Sequence, residues 1–233
     1  MKTQNKTAIV TGASRGIGLA ITKALLKEGI KVAGWSRNAP EELTHGHFFH
    51  FEVDLTKELS VQHAYEQTVN ELGQDIPILI NNAGMGYRGN LEDTPVEKWK
   101  YLFDLNVHGV FYVTRLVLPQ MKARQEGHII NISSGAGTHG IAGMSCYCGT
   151  KHALVGISHS LHQEVRDYGI KVTCLSPGSV QTRFSQASGQ PPSKKNSLLP
   201  EDLAASIVHI LGCPQNFHYT DLEVRPLQPN KLE

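Results

Sequence analysis

No part of the sequence restricts the fold more than a glycine-rich turn set between an apolar run and an amphipathic segment, Thr11-Gly12-Ala13-Ser14-Arg15-Gly16-Ile17-Gly18. Residues 8–10 before it are apolar. After it, Ile17, Ala20, Ile21, Ala24 and Leu25 recur at helical spacing, with Gly29 where such a helix would stop. Glycines at such a junction permit a tight turn. They also let backbone N–H groups approach a phosphate at the positive end of the helix. A glycine stretch alone is a weak signal, and the strand before it and helix after it are what give it meaning.

The rest of the chain repeats the same alternation. Residues 8–10, 32–35, 48–55, 78–80, 128–132, 172–175 and 222–224 read as strands, several nearly continuous in Val, Ile and Leu. Such runs are expected where helices cover both faces of a parallel sheet. Thr94-Pro95-Val96-Glu97 reads as a capping box with proline at the first helical position, opening a long helix toward Lys122. Pro200-Glu201-Asp202 opens another, through Leu211. The expected fold is therefore α/β, a doubly wound parallel sheet with right-handed crossovers. With no internal repeat or linker, residues 1–233 read as one domain.

Composition removes several function classes. The 22 basic and 21 acidic residues give a net charge of +1, no electrostatic reason to expect nucleic acid or an anionic membrane as a partner. No apolar run approaches the ~20 residues that span a bilayer. The chain passes from Met1 straight into the strand-like residues 7–10 with no charged-then-apolar leader, so the expected location is cytoplasmic. Cys146, Cys148, Cys174 and Cys213 are too few and too clustered for a disulfide framework and read as reduced thiols. His45, His47 and His50 invite a metal reading, but strand alternation would send His47 and His50 to opposite faces, and no metal is expected. Trp99, Phe103, Val107 and Val110 recur at helical spacing and read as core or subunit contact. Lys194-Lys195 reads as a solvated pair in a polar stretch.

The glycine spacing, Gly-x-x-x-Gly-x-Gly, resembles that of the short-chain dehydrogenase/reductase family in its short single-domain branch, and the likeness runs along nearly the whole chain. It implies a single-domain Rossmann fold with a seven-stranded parallel sheet. Gly12, Ser14, Arg15, Gly16, Ile17 and Gly18 would then cradle the cofactor pyrophosphate. Asp54 and Leu55 match the segment that contacts adenine. Asn81-Asn82-Ala83-Gly84 matches the motif beside the cofactor that also braces the sheet. Asn106, Ser134, Tyr147 and Lys151 match the catalytic set, and Pro177, Gly178, Val180 and Thr182 the segment facing the nicotinamide.

Cofactor preference follows from charge. An acidic residue at the end of the second strand would bind a ribose 2′-hydroxyl and repel a 2′-phosphate. Here that position is Ser36, followed by Arg37, with Arg15 in the glycine turn. Two guanidinium groups suit a phosphate, so NADP(H) is expected over NAD(H).

Tyr147 and Lys151 lie four residues apart, on one face of a helix. Alone, such a pair is most often a surface pair; with Ser134 and the glycine turn it reads as chemistry. A free tyrosine has a pKa near ~10, and a nearby ammonium and a cationic nicotinamide both favour the phenolate. Tyr147 then serves as general acid for carbonyl reduction and base for alcohol oxidation. The resemblance implies that Ser134 holds the substrate oxygen, that Lys151 reaches the nicotinamide ribose, and that Asn106, mid-helix, supports a water-linked relay to Lys151. Gly149 stands where the family carries alanine or serine. Cys146 and Cys148 flank the tyrosine but point in different directions on a helix.

The reading is an NADP(H)-dependent oxidoreductase acting on a small carbonyl or secondary alcohol. One alternative is a 3-oxoacyl-thioester reductase; another, of a different class, is a non-catalytic NADP(H)-sensing protein that keeps the fold. Residues 183–199 correspond to the family's substrate lid, with Arg183 a candidate partner for a carboxylate or phosphate. The ending Asp221-Leu222-Glu223-Val224-Arg225-Pro226 replaces the Asp-Gly-Gly of many relatives and looks more like NADP-dependent relatives acting on hydroxy acids and ketones. The resemblance also implies a homodimer or homotetramer formed through the helices beginning near Pro95 and Ser145.

Overall fold

Seven apolar runs become seven strands: β1 (Thr7–Thr11), β2 (Lys31–Ser36), β3 (Phe48–Glu52), β4 (Ile78–Asn81), β5 (Gly127–Ile132), β6 (Ile170–Pro177) and β7 (Asp221–Val224). In the computed structural model, residues 6–189 and 196–228 are described; Lys194 and Lys195 lie outside them. The strands form one all-parallel sheet in the order β3-β2-β1-β4-β5-β6-β7. Strand order reverses between β1 and β4, and the crevice at their carboxyl ends is where ligands bind in open sheets of this kind.

Helices cover both faces. On one, α1 (Gly16–Lys27) and α7 (Pro200–Gly212) bury Ile21, Leu25, Leu203 and Ile207 against Val10, Val32 and Ile80. On the other, α2 (Glu58–Leu72), α4 (Gly109–Arg124) and α5 (Ser145–Val165) bury Val61, Val113, Val117 and Leu161 against Ile9, Leu79 and Ile129. Burial on both faces explains why the central strands are apolar without alternation. Gly29 ends α1 with φ +75°, and Asp202 accepts the Leu199 N–H at 2.8 Å in the first turn of α7. Among the described residues no helix is long and apolar enough to cross a membrane.

Three local expectations need correction. β3 stops at Glu52 rather than residue 55, because the Asp54 carboxylate captures the backbone N–H (3.1 Å) and hydroxyl (2.7 Å) of Thr56 and turns the chain into α2. The capping box at Thr94 does not form. The Thr94 hydroxyl donates back to Asn90 O at 2.8 Å, and Pro95 takes the N-cap position of α3 (Val96–Phe103). Nor is the helix toward Lys122 uniform: α3 passes into α4 through a π turn, Asp104–His108, that carries Asn106. The extra residue of a π turn rotates a side chain off the regular helical face, a device often found at functional sites.

The histidine run is also split. His47 precedes the strand and donates its backbone N–H to His45 Nδ1, whereas His50 lies within β3. Among the described residues no cluster of three or more His, Cys, Asp or Glu could hold a metal ion. All four cysteines are buried, and Cys146, Cys148 and Cys174 are free thiols. Val110 is buried, while Trp99 stacks on Phe103 with centroids 5.5 Å apart, both packed on the cluster that contains Tyr147.

Candidate active site

The glycine turn has the shape of a cradle. Gly12 and Gly16 adopt φ +67° and +56°, the left-handed region that only glycine enters cheaply. A Cβ on Gly18 would collide with the Gly12 carbonyl oxygen, so α1 can approach the turn only with glycine there. Arg15 stands at the N-cap with no side-chain hydrogen bond. The first-turn N–H groups, which no helix can satisfy internally, therefore face outward around Ser14, Arg15, Gly16, Ile17 and Gly18. These features suit an anionic group such as a dinucleotide pyrophosphate.

The strand next door holds that turn in place. Thr11 Oγ1 accepts the N–H groups of Asn82 and Ala83, both at 3.0 Å. Asn82 Nδ2 donates to Thr11 O at 2.9 Å and to Gly12 O at 3.3 Å. The Asn82 side chain is thus committed to the turn itself. Asn81 donates to Thr114 (3.1 Å) and Asn131 (2.9 Å), and Asn131 donates to Ser158 (2.9 Å), tying β4 and β5 to α4 and α5. Buried polar groups carry this much order when paired, and in this network only Asn81 Oδ1 lacks a partner among the described residues.

At the end of β2, Ser36 is buried, and its hydroxyl donates to Asn38 O at 2.8 Å. His50 Nε2 lies 3.1 Å from Ser36 O and 3.2 Å from its Oγ. Ser36 is therefore engaged within the protein, and Arg37 and Arg15 supply the positive charge. Both are exposed, and among the described residues neither has an ion-pair partner. Asp54 follows β3 and is half-buried, and the next residue, Leu55, is buried. Burial would raise the Asp54 pKa, but hydrogen bonds from Thr56 and the Lys57 ammonium outweigh it and hold the carboxyl below its ordinary range.

Tyr147, Lys151, Ser134 and Asn106 come from α5, the end of β5 and the π turn. Tyr147 is buried, and Lys151 Nζ lies 5.8 Å from its ring centroid. Lys151 is 4% exposed and donates to Ile132 O at 2.8 Å. Burial lowers its pKa from 10.5 to about 8, while Cys174 nearby pulls the other way. Asn106 is buried in the fork of the Met85 backbone: Oδ1 accepts Met85 N–H at 2.9 Å and Nδ2 donates to Met85 O at 2.8 Å. Its Nδ2 also reaches Thr150 Oγ1 at 3.0 Å, and Thr150 donates to Tyr147 O at 2.8 Å. Gly84 leaves room beside Asn106 and Lys151, since a Cβ there would stand 3.2 Å from Asn106 Oδ1 and 3.7 Å from Lys151 Nζ.

The tyrosine pKa runs opposite to the sequence expectation. Burial pushes it up from 10 to about 12, hydrogen bonding to Ser134 pulls it down and Cys148 pushes it further up. Desolvation of the phenolate outweighs any help from the ammonium.

Beyond β6, Gly178 N–H donates to Val224 O at 2.8 Å, and Val180 bridges Leu198, so the excursion from residue 181 returns to where it left. Thr182 lies against Gly16, linking the excursion to the glycine turn. Its short helix α6 (Phe184–Ala187) sets the Phe184 ring 5.8 Å from the Tyr147 ring. Gly86 admits this approach: a Cβ there would stand 2.7 Å from Ser188 Oγ and 3.0 Å from Phe184. Arg183 is exposed. In the tail, Arg225 Nε donates to Glu223 Oε1 at 2.6 Å, and the arginine lies over Gly135 and Gly178.

The family model described as short chain dehydrogenase matches residues 6–192. The chain belongs to this family. An uncharacterized oxidoreductase of Staphylococcus aureus is 32% identical over 229 residues, covering 96% of this chain and 98% of the relative. A serine dehydrogenase solved in its closed form with NADP+ superposes with TM-score 0.88 at 29% identity, covering 97% of both chains. A 3-ketoacyl-(acyl-carrier-protein) reductase from Brucella melitensis, solved with NADH, gives 0.86 at 26% identity over 95% of this chain and 97% of that one.

As a short-chain dehydrogenase the protein is an oxidoreductase, and its fold gathers the residues marked in the sequence at one end of the sheet. Sequence reasoning missed Thr11, Thr150, Asn131 and Phe184. Thr11 and Thr150 sit inside the quoted motifs, so their place was readable, though not their partners. Asn131 and Phe184 carry no motif; only the sheet register and the returning excursion bring them to the site.

Proposed function

We propose that this short-chain dehydrogenase interconverts a carbonyl and a secondary alcohol with NADP(H), with Tyr147 passing the proton. The observation that carries the reading is the burial of Tyr147 between Ser134, Lys151 and Phe184, beside a glycine cradle open to an anion. Gly12, Gly16 and Gly18 would hold the pyrophosphate, with Asn82 and Thr11 fixing the cradle. Arg15 and Arg37 would meet the 2′-phosphate, and Lys151, Pro177, Gly178, Val180 and Thr182 would border the nicotinamide. The dinucleotide supplies the hydride when bound.

This chain's own residues manage the proton. The Ser134 hydroxyl holds the substrate oxygen, and the Tyr147 phenol gives its proton to that oxygen as negative charge develops there. With its pKa near 12, Tyr147 is protonated at neutral pH and ready as an acid. Lys151, with a pKa near 8, remains cationic at pH 7 and stabilises the phenolate left behind. Thr150 and Asn106 fix the helix turn between the two. Residues 183–199, of which 190–195 lie outside the described residues, are assigned as the lid, with Phe184 excluding water from the phenol. The reading includes a homodimer or homotetramer through the helices that begin near Pro95 (α3 running into α4) and Ser145 (α5), whose outer faces expose Phe111 and Gly156.

Tyr147→Phe is the test. Turnover of NADPH with a ketone panel should fall by ~10²–10⁴-fold, the range for losing a positioned acid. NADPH binding, followed by nicotinamide fluorescence, should be unchanged. Retained turnover would sink the mechanism.

A further inference from the structure

An open surface pocket of about 410 Å³ is lined by Arg88, Gly89, Asn90, Asp93, Ala142 and Gly143, of which Arg88, Asn90, Asp93 and Ala142 are exposed. A backbone hydrogen bond from Gly89 N–H to Gly143 O, at 2.8 Å, ties its two walls together. Gly143 holds φ +73°, and a Cβ there would lie 3.8 Å from the Arg88 stem. Each wall continues along the chain into the cluster that contains Tyr147: Met144, which follows Gly143, is a member of it, and Tyr87, which precedes Arg88, packs against it. The lid borders the cavity too, since a Cβ on Gly189 would reach 4.0 Å from Arg88 O. On both walls the pocket lining is thus one residue along the chain from the cluster around Tyr147.

Its charges are uncommitted. Among the described residues neither Arg88 nor Asp93 has a salt bridge or a side-chain hydrogen bond. By contrast, Arg225 is held by Glu223, and Arg183 stands exposed before α6. Resting on the carbonyl-reductase reading above, we infer that this cavity takes the distal head of the substrate, a carboxylate bound by Arg88. Guanidinium binds carboxylate with two parallel N–H···O bonds. One cation and one anion leave the lining neutral overall, which suits a monoanion, whereas a phosphate dianion would also face Asp93. Met85, Tyr87, Met144 and Phe184 belong to or pack on the apolar cluster around the phenol, which suits a short methylene spacer. The substrate class is an oxo acid, or its hydroxy acid, whose carbonyl and carboxylate are separated by a short alkyl chain.

The experiment compares 4-oxopentanoate and 5-oxohexanoate with their methyl esters, using wild type, Arg88→Ala and Arg88→Lys with NADPH. Wild type should favour the acids, and Arg88→Ala should raise KM for them at least tenfold while leaving the esters and the NADPH Kd unchanged. Arg88→Lys should restore part of the loss. Preference for the esters, or equal losses on acid and ester, overturns the inference while carbonyl reduction stands. If no acid or ester is turned over, 4-oxopentanoate binding to the NADPH complex is read by nicotinamide fluorescence. Absence of binding at 10-fold the concentration used for turnover, ~10 mM against ~1 mM as a usual upper KM, overturns it as well. Failure of the carbonyl reading itself would show instead as no turnover of any ketone.

Discussion

Replacing Lys151 with methionine should make the protein inactive and, at neutral pH, no less stable. The lysine is 4% exposed, and burial lowers its pKa from 10.5 to about 8. At 1.36 kcal/mol per pKa unit, keeping the ammonium buried at pH 7 costs on the order of 3 kcal/mol. The sign follows from proton counting. The unfolded chain holds the lysine proton more tightly than the folded one, so unfolding takes up a proton between about pH 8 and 10.5. Stability therefore rises with pH through that window, and the full penalty is present below it. Methionine removes the penalty but leaves Ile132 O without its donor, a loss of about 1–3 kcal/mol. The net change at pH 7 is about 0–2 kcal/mol in favour of the variant.

Urea unfolding of both cofactor-free proteins at pH 7 and pH 10 separates the two contributions. The missing carbonyl partner does not titrate, whereas the ammonium does. Relative to wild type, the variant should lose about 2–3 kcal/mol between the two pH values. Other titrating groups are shared and cancel in the difference. A gap between the proteins that stays constant from pH 7 to pH 10 would refute the claim that Lys151 carries its charge at a cost.

Two further outcomes are expected. Gly149→Ala should stabilise the protein by about 0.5–1 kcal/mol, since a helix-interior glycine is penalised by that amount and the new Cβ would meet only Phe103, at an ordinary 3.6 Å; denaturant midpoints measure it, and a loss of stability would contradict the geometry. Arg37→Asp should lower kcat/KM for NADPH by about 10–100-fold, in line with one charge-assisted contact of ~1.5–3 kcal/mol, and should improve NADH; an unchanged preference would remove Arg37 from cofactor selection.

The identities and order of the strands and helices were legible because periodicity survives in any chain that must bury two faces of a sheet. The motif residues were legible as well, since Gly12, Gly16 and Gly18 are required by backbone geometry and close approach. Local competition was harder to read. Asp54 ends β3 and Thr94 bonds backward because short polar side chains capture nearby backbone in competition with regular structure. The π turn at Asn106 was invisible for a similar reason, as its cause is the fork of Met85, twenty-one residues away.

By itself, then, the sequence determined the layered fold, the anion-ready turn and the residues available for proton transfer, because these follow from local backbone freedom and side-chain chemistry. Tertiary structure decided their ionisation and their surroundings. It buried Tyr147 deeply enough to reverse the expected direction of its pKa, engaged Ser36 and Asn82 inside the protein, and seated Phe184 over the phenol. Desolvation and partner choice depend on which distant segments meet, and only the folded chain brings those segments together.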